Sequence, residues 1–111
     1  RMEGRTDEAI SQAKEAIKLD PELSSARLKY GSLLLIRGES DAGIAEYEAV
    51  LTKNPKNVDA HYLLAQALEK ANDRKNAIRE FNEFLQLASP QDARRNSAEQ
   101  KLRDLGAVMT N

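Results

Sequence analysis

Apolar residues recur along this chain at the spacing that places them on one face of an α-helix. Between residues 60 and 71 they fall at intervals of four, three, one and three positions, which makes a continuous stripe on a helix. Two further segments follow the same rule. The three stripes are Ala60, Leu64, Ala67, Leu68 and Ala71, then Ile44, Tyr47, Val50 and Leu51, and finally Ile78, Phe81 and Leu85. The pattern predicts a series of amphipathic helices.

The stripes and the segments between them repeat every 34 residues. Similar residue types stand in step at five registers, which are Gly4, Gly38 and Asn72; Ala9, Gly43 and Ala77; Ile10, Ile44 and Ile78; Ile17, Leu51 and Leu85; and Pro21 with Pro55. A period of this length indicates one supersecondary unit that stacks on its copies to bury a continuous core. The chain is therefore predicted to be a stretch of a repeat array.

Each unit contains a turn between two helices and a break after the second helix. Gly38 and Asn72 mark the turns, because glycine and asparagine tolerate the left-handed backbone that ends a helix. A serine or aspartate that follows, such as Ser40 or Asp41 in the first unit and Asp73 in the second, is expected to cap the next helix. A proline such as Pro55 then ends the pair, because the residue before proline is pushed out of the helical region.

Small residues stand where the two helices of a pair are expected to cross. Gly31 is matched with Gly43 in one unit, and Ala65 with Ala77 in the next. Side chains of this size let two helices approach closely. The predicted unit is therefore a helix–turn–helix with a tight contact between its helices.

This pattern resembles the tetratricopeptide repeat (TPR) family. That family has a small residue late in the first helix, glycine at the turn, alanine opening the second helix, an aromatic residue four positions later, and proline near the end. The matching residues are Gly31, Gly38, Tyr47 and Pro55 in one unit, and Ala65, Ala77 and Phe81 in the next. The resemblance implies an all-α fold, an α-α superhelix of stacked helix–turn–helix units with a C-terminal capping helix.

The sequence departs from the family pattern at four positions. Arg27 and His61 stand where the family often has tryptophan. Gly43 replaces the alanine, and Phe84 fills a position that is usually small. Because tryptophan packs in the family at the position of His61, His61 is expected to have a packing role.

The period divides the chain into four segments. Residues 1–23 are interpreted as the second half of a truncated TPR unit, 24–57 and 58–90 as complete units, and 91–111 as a C-terminal capping helix and tail. An array of this kind needs a terminal helix that is apolar inward and polar outward.

The first segment is interpreted as a turn at Gly4 followed by a helix that runs to Leu19. Its partner helix is missing, which suggests a piece of a longer protein. The face around Ala9, Ala13 and Ile17 would then be uncovered. We expect a second copy of the chain to cover it, giving a homo-oligomer, or the helix to be mobile.

The last segment is predicted to open a helix at residues 89–92, with Ser89 as cap and Pro90 at the first helical position. The apolar face of that helix is Ala98, Leu102, Leu105 and Met109. The favoured interpretation is a helix that caps the array. The alternative is a basic helix, including Arg94 and Arg95, that docks onto a partner or a membrane surface.

In the TPR family the first helix of each pair lines the inner, concave face, which usually receives a peptide or a helix. The resemblance carries this partner-binding role to twelve positions, which are Ser25, Leu28, Lys29, Ser32, Leu35, Ile36, Asp59, Tyr62, Leu63, Gln66, Glu69 and Lys70. Several are apolar although they lie off the packing stripes. Either they contact a partner, or neighbouring repeats or the C-terminal helix cover them. The sequence leaves both interpretations open.

One subclass of the family grips the acidic tails of heat-shock chaperones through lysine, asparagine and arginine side chains. The matching positions here include Leu28, Lys29, Ser32, Asp59 and Leu63. The resemblance therefore does not extend to that clamp. The remaining inner face suits an amphipathic helix or an apolar segment of a partner.

The composition argues against several other functions. Seventeen basic residues nearly balance eighteen acidic ones, so the chain lacks the basic excess typical of nucleic-acid binding. It has no cysteine, and His61 is its only histidine, so thiolate zinc sites and paired-histidine metal sites are excluded. No glycine-rich phosphate loop occurs, and no apolar run approaches the ~18–20 residues that span a bilayer.

These observations predict no catalytic residue, no cofactor and no metal site, and so no enzyme in this stretch. The favoured function is a protein–protein interaction module that binds a peptide or helix of a partner. The first alternative is a structural or self-association segment with no separate ligand. The second is an enzyme whose catalytic domain lies outside this sequence. The sequence does not specify a cellular compartment.

Overall fold

The fold is that of a computed structural model, which describes residues 2–106, with side chains from Gly4 onward. Within that range the chain forms α-helices and no strand, which confirms the predicted all-α class. The helices are α1 (Met2–Leu19), α2 (Ser24–Ile36), α3 (Ser40–Lys53), α4 (Val58–Lys70), α5 (Arg74–Leu87) and α6 (Arg95–Asp104). The chain divides into two compact units, unit 1 (Arg1–Pro55) and unit 2 (Lys56–Asn111).

The turns inside the two helix pairs lie where the sequence predicts them. Gly38 has φ +91° and Asn72 has φ +64°, so both adopt the left-handed conformation. In unit 1 the N–H of Glu39 then donates to the carbonyl of Leu34 at 2.8 Å and closes the turn. Each helix pair, α2 with α3 and α4 with α5, is therefore a helix–turn–helix.

The predicted caps are confirmed in one unit and wrong in the other. The Asp73 carboxylate accepts a hydrogen bond from the backbone N–H of Asn76 at 3.3 Å, as a capping side chain does. Ser40, in contrast, is already helical, and Glu39 precedes α3 without a side-chain cap. Ser40 does not cap α3 because Glu39 holds the N-cap position, where its carbonyl accepts the first helical hydrogen bond from the N–H of Gly43 at 3.0 Å.

The turn predicted at Gly4 is also wrong, because Gly4 lies inside α1. The turns at Gly38 and Asn72 close by hydrogen bonds to carbonyls of a preceding helix. Gly4 does not adopt the left-handed conformation of Gly38, because it lies in the first turn of α1 and not at the end of a helix.

The face of α1 that was expected to be uncovered is largely covered by the same chain. Ala13 is buried, with 6% of its surface exposed, because α1 packs against α2. Ala9 and Ile17 are half-buried. The prediction of a bare face is therefore wrong for Ala13, and no second copy is needed to bury it.

The C-terminal helix begins later than predicted. Residues 89–94 form turns, in which the N–H of Asp92 donates to the Ser89 carbonyl and the N–H of Arg95 to the Asp92 carbonyl. The Asp92 carboxylate also accepts from the backbone N–H of Arg94 at 2.9 Å. This local side-chain bond competes with helix formation, so α6 starts only at Arg95.

The apolar face predicted for the last helix is confirmed where it is described. Ala98 and Leu102 are fully buried, and Leu105 is half-buried. They extend the core of unit 2, whose buried residues are Ala65, Phe81, Phe84, Ala88, Ala98 and Leu102. Met109, also predicted on this face, lies outside the described residues. Phe84, which fills a position that is usually small in the family, is one of the buried residues of this core.

Candidate functional site

The six predicted inner positions of α2 do not all face solvent. Leu28 is buried. The Ser32 hydroxyl shares a 2.7 Å hydrogen bond with the hydroxyl of Tyr47, whose pKa is raised by burial. Leu35 points toward α3, since a Cβ placed on Gly43 would lie 3.0 Å from its Cγ. Half of the predicted set is thus used for packing inside unit 1.

The other three predicted positions of α2 remain open. Ser25 and Lys29 are exposed, and 66% of Ile36 is exposed. Among the residues that the structure describes, Lys29 makes no ion pair or hydrogen bond through its side chain. We refer to Ser25, Lys29 and Ile36 as the α2 face.

In unit 2 the C-terminal segment contacts three of the six predicted positions of α4. A guanidinium nitrogen of Arg94 lies 2.7 Å from a carboxylate oxygen of Asp59. The Tyr62 hydroxyl donates to Ser97 Oγ at 3.1 Å. At the other end of α4, Lys101 Nζ lies 3.3 Å from a Glu69 carboxylate oxygen. The chain itself therefore occupies part of the surface predicted for a partner.

The remaining predicted positions of α4 are Leu63, Gln66 and Lys70, which we call the α4 face. Leu63 and Gln66 are half-buried, while Lys70 is exposed. Among the described residues the Lys70 side chain, like that of Lys29, has no charged partner. Each unit thus keeps a small open face with one apolar side chain and one lysine.

Arg94 organises the contact between α4 and the start of α6. Besides Asp59 it binds Asp92, with nitrogen–oxygen distances of 2.7 and 2.9 Å. Hydrogen bonds from the Arg94 side chain and backbone lower the pKa of Asp92 to about 2. The Arg94 guanidinium carbon also lies 5.5 Å from the Tyr62 ring centre and 5.2 Å from that of Phe84, in cation–π range.

The sequence did not predict this role of Arg94, which was interpreted only as part of a basic helix. The spacing Asp92-x-Arg94 before a helix was the available local signal, because aspartate commonly accepts from the N–H two residues later. The contact with Asp59, 35 positions earlier, had no such signal.

His61 is buried in unit 2, in agreement with a packing role. Its Nδ1 lies 2.6 Å from a carboxylate oxygen of Glu80, which is also buried. The second Glu80 oxygen accepts from the Arg79 guanidinium at 3.2 Å. Sequence reasoning did not identify Glu80, since a glutamate on a charged helix is usually solvated.

A cavity of about 160 Å³ lies in unit 1 and is lined by Pro21, Glu22, Ser24, Arg27, Ala49, Val50 and Lys53. None of the twelve predicted positions lines it. Across residues 2–106, no group of three or more histidine, cysteine or acidic side chains is arranged to hold a metal ion. Over the same range, every helix is too short or too polar to cross a membrane.

Two consecutive pairs of helices, each joined by a left-handed turn and closed by a break, define a helical repeat protein. A family model described as tetratricopeptide repeat matches residues 3–57 and again 31–93, which together span most of the chain. The chain therefore belongs to the tetratricopeptide repeat family, as its sequence pattern predicts.

One similar protein is the tetratricopeptide repeat and J domain-containing co-chaperone DNJ1 of Cryptococcus neoformans var. grubii serotype A. The two are 32% identical over 91 residues, which are 82% of this chain and 17% of that protein. The chain thus spans only a small part of this curated relative.

Solved structures of the same fold include two with a bound peptide. The Yersinia enterocolitica type III secretion chaperone SycD, in complex with a peptide of the translocator YopD, matches with a TM-score of 0.84 and 16% identity, covering 95% of this chain and 82% of that chain. The first TPR of Spaghetti (RPAP3), bound to the HSP90 peptide SRMEEVD, matches with a TM-score of 0.81 and 17% identity, covering 95% and 80%. At these identities the likeness establishes the fold alone.

Proposed function

We propose that this chain is a protein-interaction module in which the first helix of each pair, α2 or α4, offers its open face to a peptide or helix of a partner protein. The observation that supports this proposal is that each helix, once packed, keeps an apolar side chain at least partly exposed to solvent. On the α2 face this is Ile36, with 66% of its surface exposed, and on the α4 face it is the half-buried Leu63. Apolar side chains that become buried on association are the usual source of binding energy.

The comparisons support this proposal by analogy. SycD and Spaghetti, which share the fold, each hold a peptide in their solved structures. DNJ1, which shares the repeat, is a co-chaperone. Repeat arrays of this kind commonly present such surfaces to partners.

A second candidate function is self-association without a separate ligand. It is favoured by Leu19, which is 85% exposed at the end of α1, and by Leu23, which is 41% exposed before α2. One period later the equivalent positions are Lys53 and Asn57, so this apolar pair is not a general feature of the repeat.

Peptide selection separates the two functions. A phage-displayed library of random 16-residue peptides is selected on the full chain, and the dissociation constants of the recovered peptides are measured. We expect Ile36→Ser and Leu63→Ser each to weaken binding about fivefold or more, as for central interface residues, and Leu19→Ser to leave it unchanged.

Light scattering tests the second function, self-association. If self-association is the function, Leu19→Ser lowers the measured mass while the recovered peptides, if any, are insensitive to Ile36→Ser and Leu63→Ser. That pair of results would replace the first proposal by the second.

A further inference from the structure

The charges on the first helices of the two pairs are not equally available to a partner. The two acidic residues among the predicted positions, Asp59 and Glu69, are both engaged by the C-terminal segment, at 2.7 Å and 3.3 Å. The two lysines, Lys29 and Lys70, are exposed and have no charged partner among the described residues. The charge left free on the α2 and α4 faces is therefore positive, although the whole chain has a net charge of −1.

The neutralisation of Asp59 and Glu69 rests on more than surface ion pairs. Exposed pairs are weak by themselves and are screened by salt. Here α6 is anchored by Ala98 and Leu102, both fully buried in the core of unit 2. This anchor keeps Lys101 close to Glu69 whether or not the ion pair contributes energy of its own.

Arg94 is shared between two carboxylates, Asp59 and Asp92, which by itself would leave one negative charge. Arg95 supplies the balance, because its positive charge also acts on Asp92. The Arg95 side chain is held in place by the backbone carbonyls of Leu85 and Ala88, at 2.8 and 3.1 Å. The group of two arginines and two aspartates is thus neutral.

Each free lysine is accompanied by an apolar side chain seven residues away on the same helix. The pairs are Lys29 with Ile36 and Leu63 with Lys70. Seven residues are two helical turns, or about 10.5 Å along the axis. Each face therefore combines one apolar contact with one positive charge.

We propose that the partner segment carries acidic side chains beside apolar ones. The C-terminal segment sets this preference, because Arg94 engages Asp59 and Lys101 of α6 engages Glu69. The inference rests on the proposed function and adds the chemistry of the partner to it. A partner with basic side chains would meet a free lysine on either face and would find no free carboxylate among these positions.

The peptide selection tests this preference directly. Peptides recovered on the wild-type chain are expected to contain an excess of Asp and Glu over Lys and Arg, compared with the unselected library. Recovery of peptides without an acidic excess would overturn the inference and leave the interaction function standing. Recovery of none would contradict both.

Charge reversal tests whether Lys29 and Lys70 are responsible for the preference for acidic peptides. Lys29→Glu and Lys70→Glu are each expected to raise the dissociation constant of a recovered acidic peptide about three- to tenfold at low salt, and less at high salt. Lys75→Glu is the matched control, since Lys75 is an exposed lysine on α5. Equal effects of all three substitutions would show a general charge effect and would overturn the inference.

The role of α6 is tested by freeing one acid. Lys101→Gln releases Glu69 and is expected to weaken binding of the acidic peptide. The double variant Glu69→Gln/Lys101→Gln removes the released charge and is expected to restore binding of the acidic peptide. A purely structural effect of Lys101→Gln would not be restored in this way. Failure of the restoration, with circular dichroism showing both variants folded, would overturn the role assigned to α6.

Discussion

Gly31 and Gly43 face each other so closely that a Cβ added to Gly43 would lie 2.6 Å from the Gly31 carbonyl oxygen. A Cβ on Gly31 would likewise lie 3.0 Å from the Gly43 carbonyl oxygen and 2.8 Å from the Tyr47 ring. The close crossing of α2 and α3 is thus a contact between two backbones. Unit 2 has alanine at both equivalent positions, Ala65 and Ala77, and both are fully buried.

Gly43→Ala is therefore expected to destabilise the protein, although alanine is normally the better helix former. The added methyl group has no room, and overpacking of this kind costs about 1–3 kcal/mol. Urea unfolding measures the effect. Gly4→Ala is the control, because a Cβ at Gly4 meets nothing within 4 Å, and it is expected to be neutral or stabilising. Similar behaviour of the two variants would contradict the contact.

Leu102→Ala is expected to destabilise unit 2 by about 2–4 kcal/mol, because Leu102 is fully buried against the core that contains Phe81 and Phe84. Hydrogen exchange should show faster exchange in α6. The half-buried Leu105 is a suitable comparison, and Leu105→Ala should cost less. An equal loss at the two positions would argue against Leu102 as the anchor.

The buried pair of His61 and Glu80 is expected to contribute to stability through its hydrogen bond. Glu80→Leu removes the acceptor that lies 2.6 Å from His61 Nδ1, and should cost about 2 kcal/mol. The double variant His61→Phe/Glu80→Leu should recover part of that loss, because both polar groups are then gone. Unfolding of the two single variants and the double variant gives the coupling energy, and a coupling near zero would contradict the pair.

The depressed pKa of Asp92 predicts a specific dependence of stability on pH. Its carboxylate has a pKa of about 2 in the folded protein, against 3.8 ordinarily, because Arg94 donates hydrogen bonds to it. Since the folded pKa is the lower one, the stabilisation is complete above pH ~4 and is lost as the pH falls through 2. Thermal melts should therefore give a higher Tm for wild type than for Asp92→Asn at pH 5, and the difference in Tm should shrink toward pH 2. A constant difference would contradict the assignment.

The helices and turns could be predicted from the sequence because local patterns determine them. A stripe such as Leu64 and Leu68 specifies a buried helical face, and Gly38 or Asn72 specifies a turn, without reference to the rest of the chain. The errors at Ser40 and at residues 89–94 concern where a helix begins. Backbone and side-chain hydrogen bonds determine the first helical residue within one or a few positions, and the same sequence is compatible with several such arrangements.

The candidate site was less predictable, because exposure depends on contacts between distant residues. Leu28 and Ile36 are both apolar inner positions by sequence, yet one is buried and the other is open. Asp59 is likewise committed to Arg94, 35 residues later in the chain. The period identifies which positions are equivalent, but not which of them the chain itself uses.

The packing of α6 also indicates where a repeat can be added to this chain. Ala98 and Leu102 pack in the core of unit 2 against residues of α4 and α5, and repeat arrays lengthen by stacking a new helix pair on the old one. A duplicated 34-residue unit inserted before Ser89 would therefore offer α6 the same apolar contacts that α4 and α5 offer now. We expect repeat engineering at that position to leave α6 packed as it is.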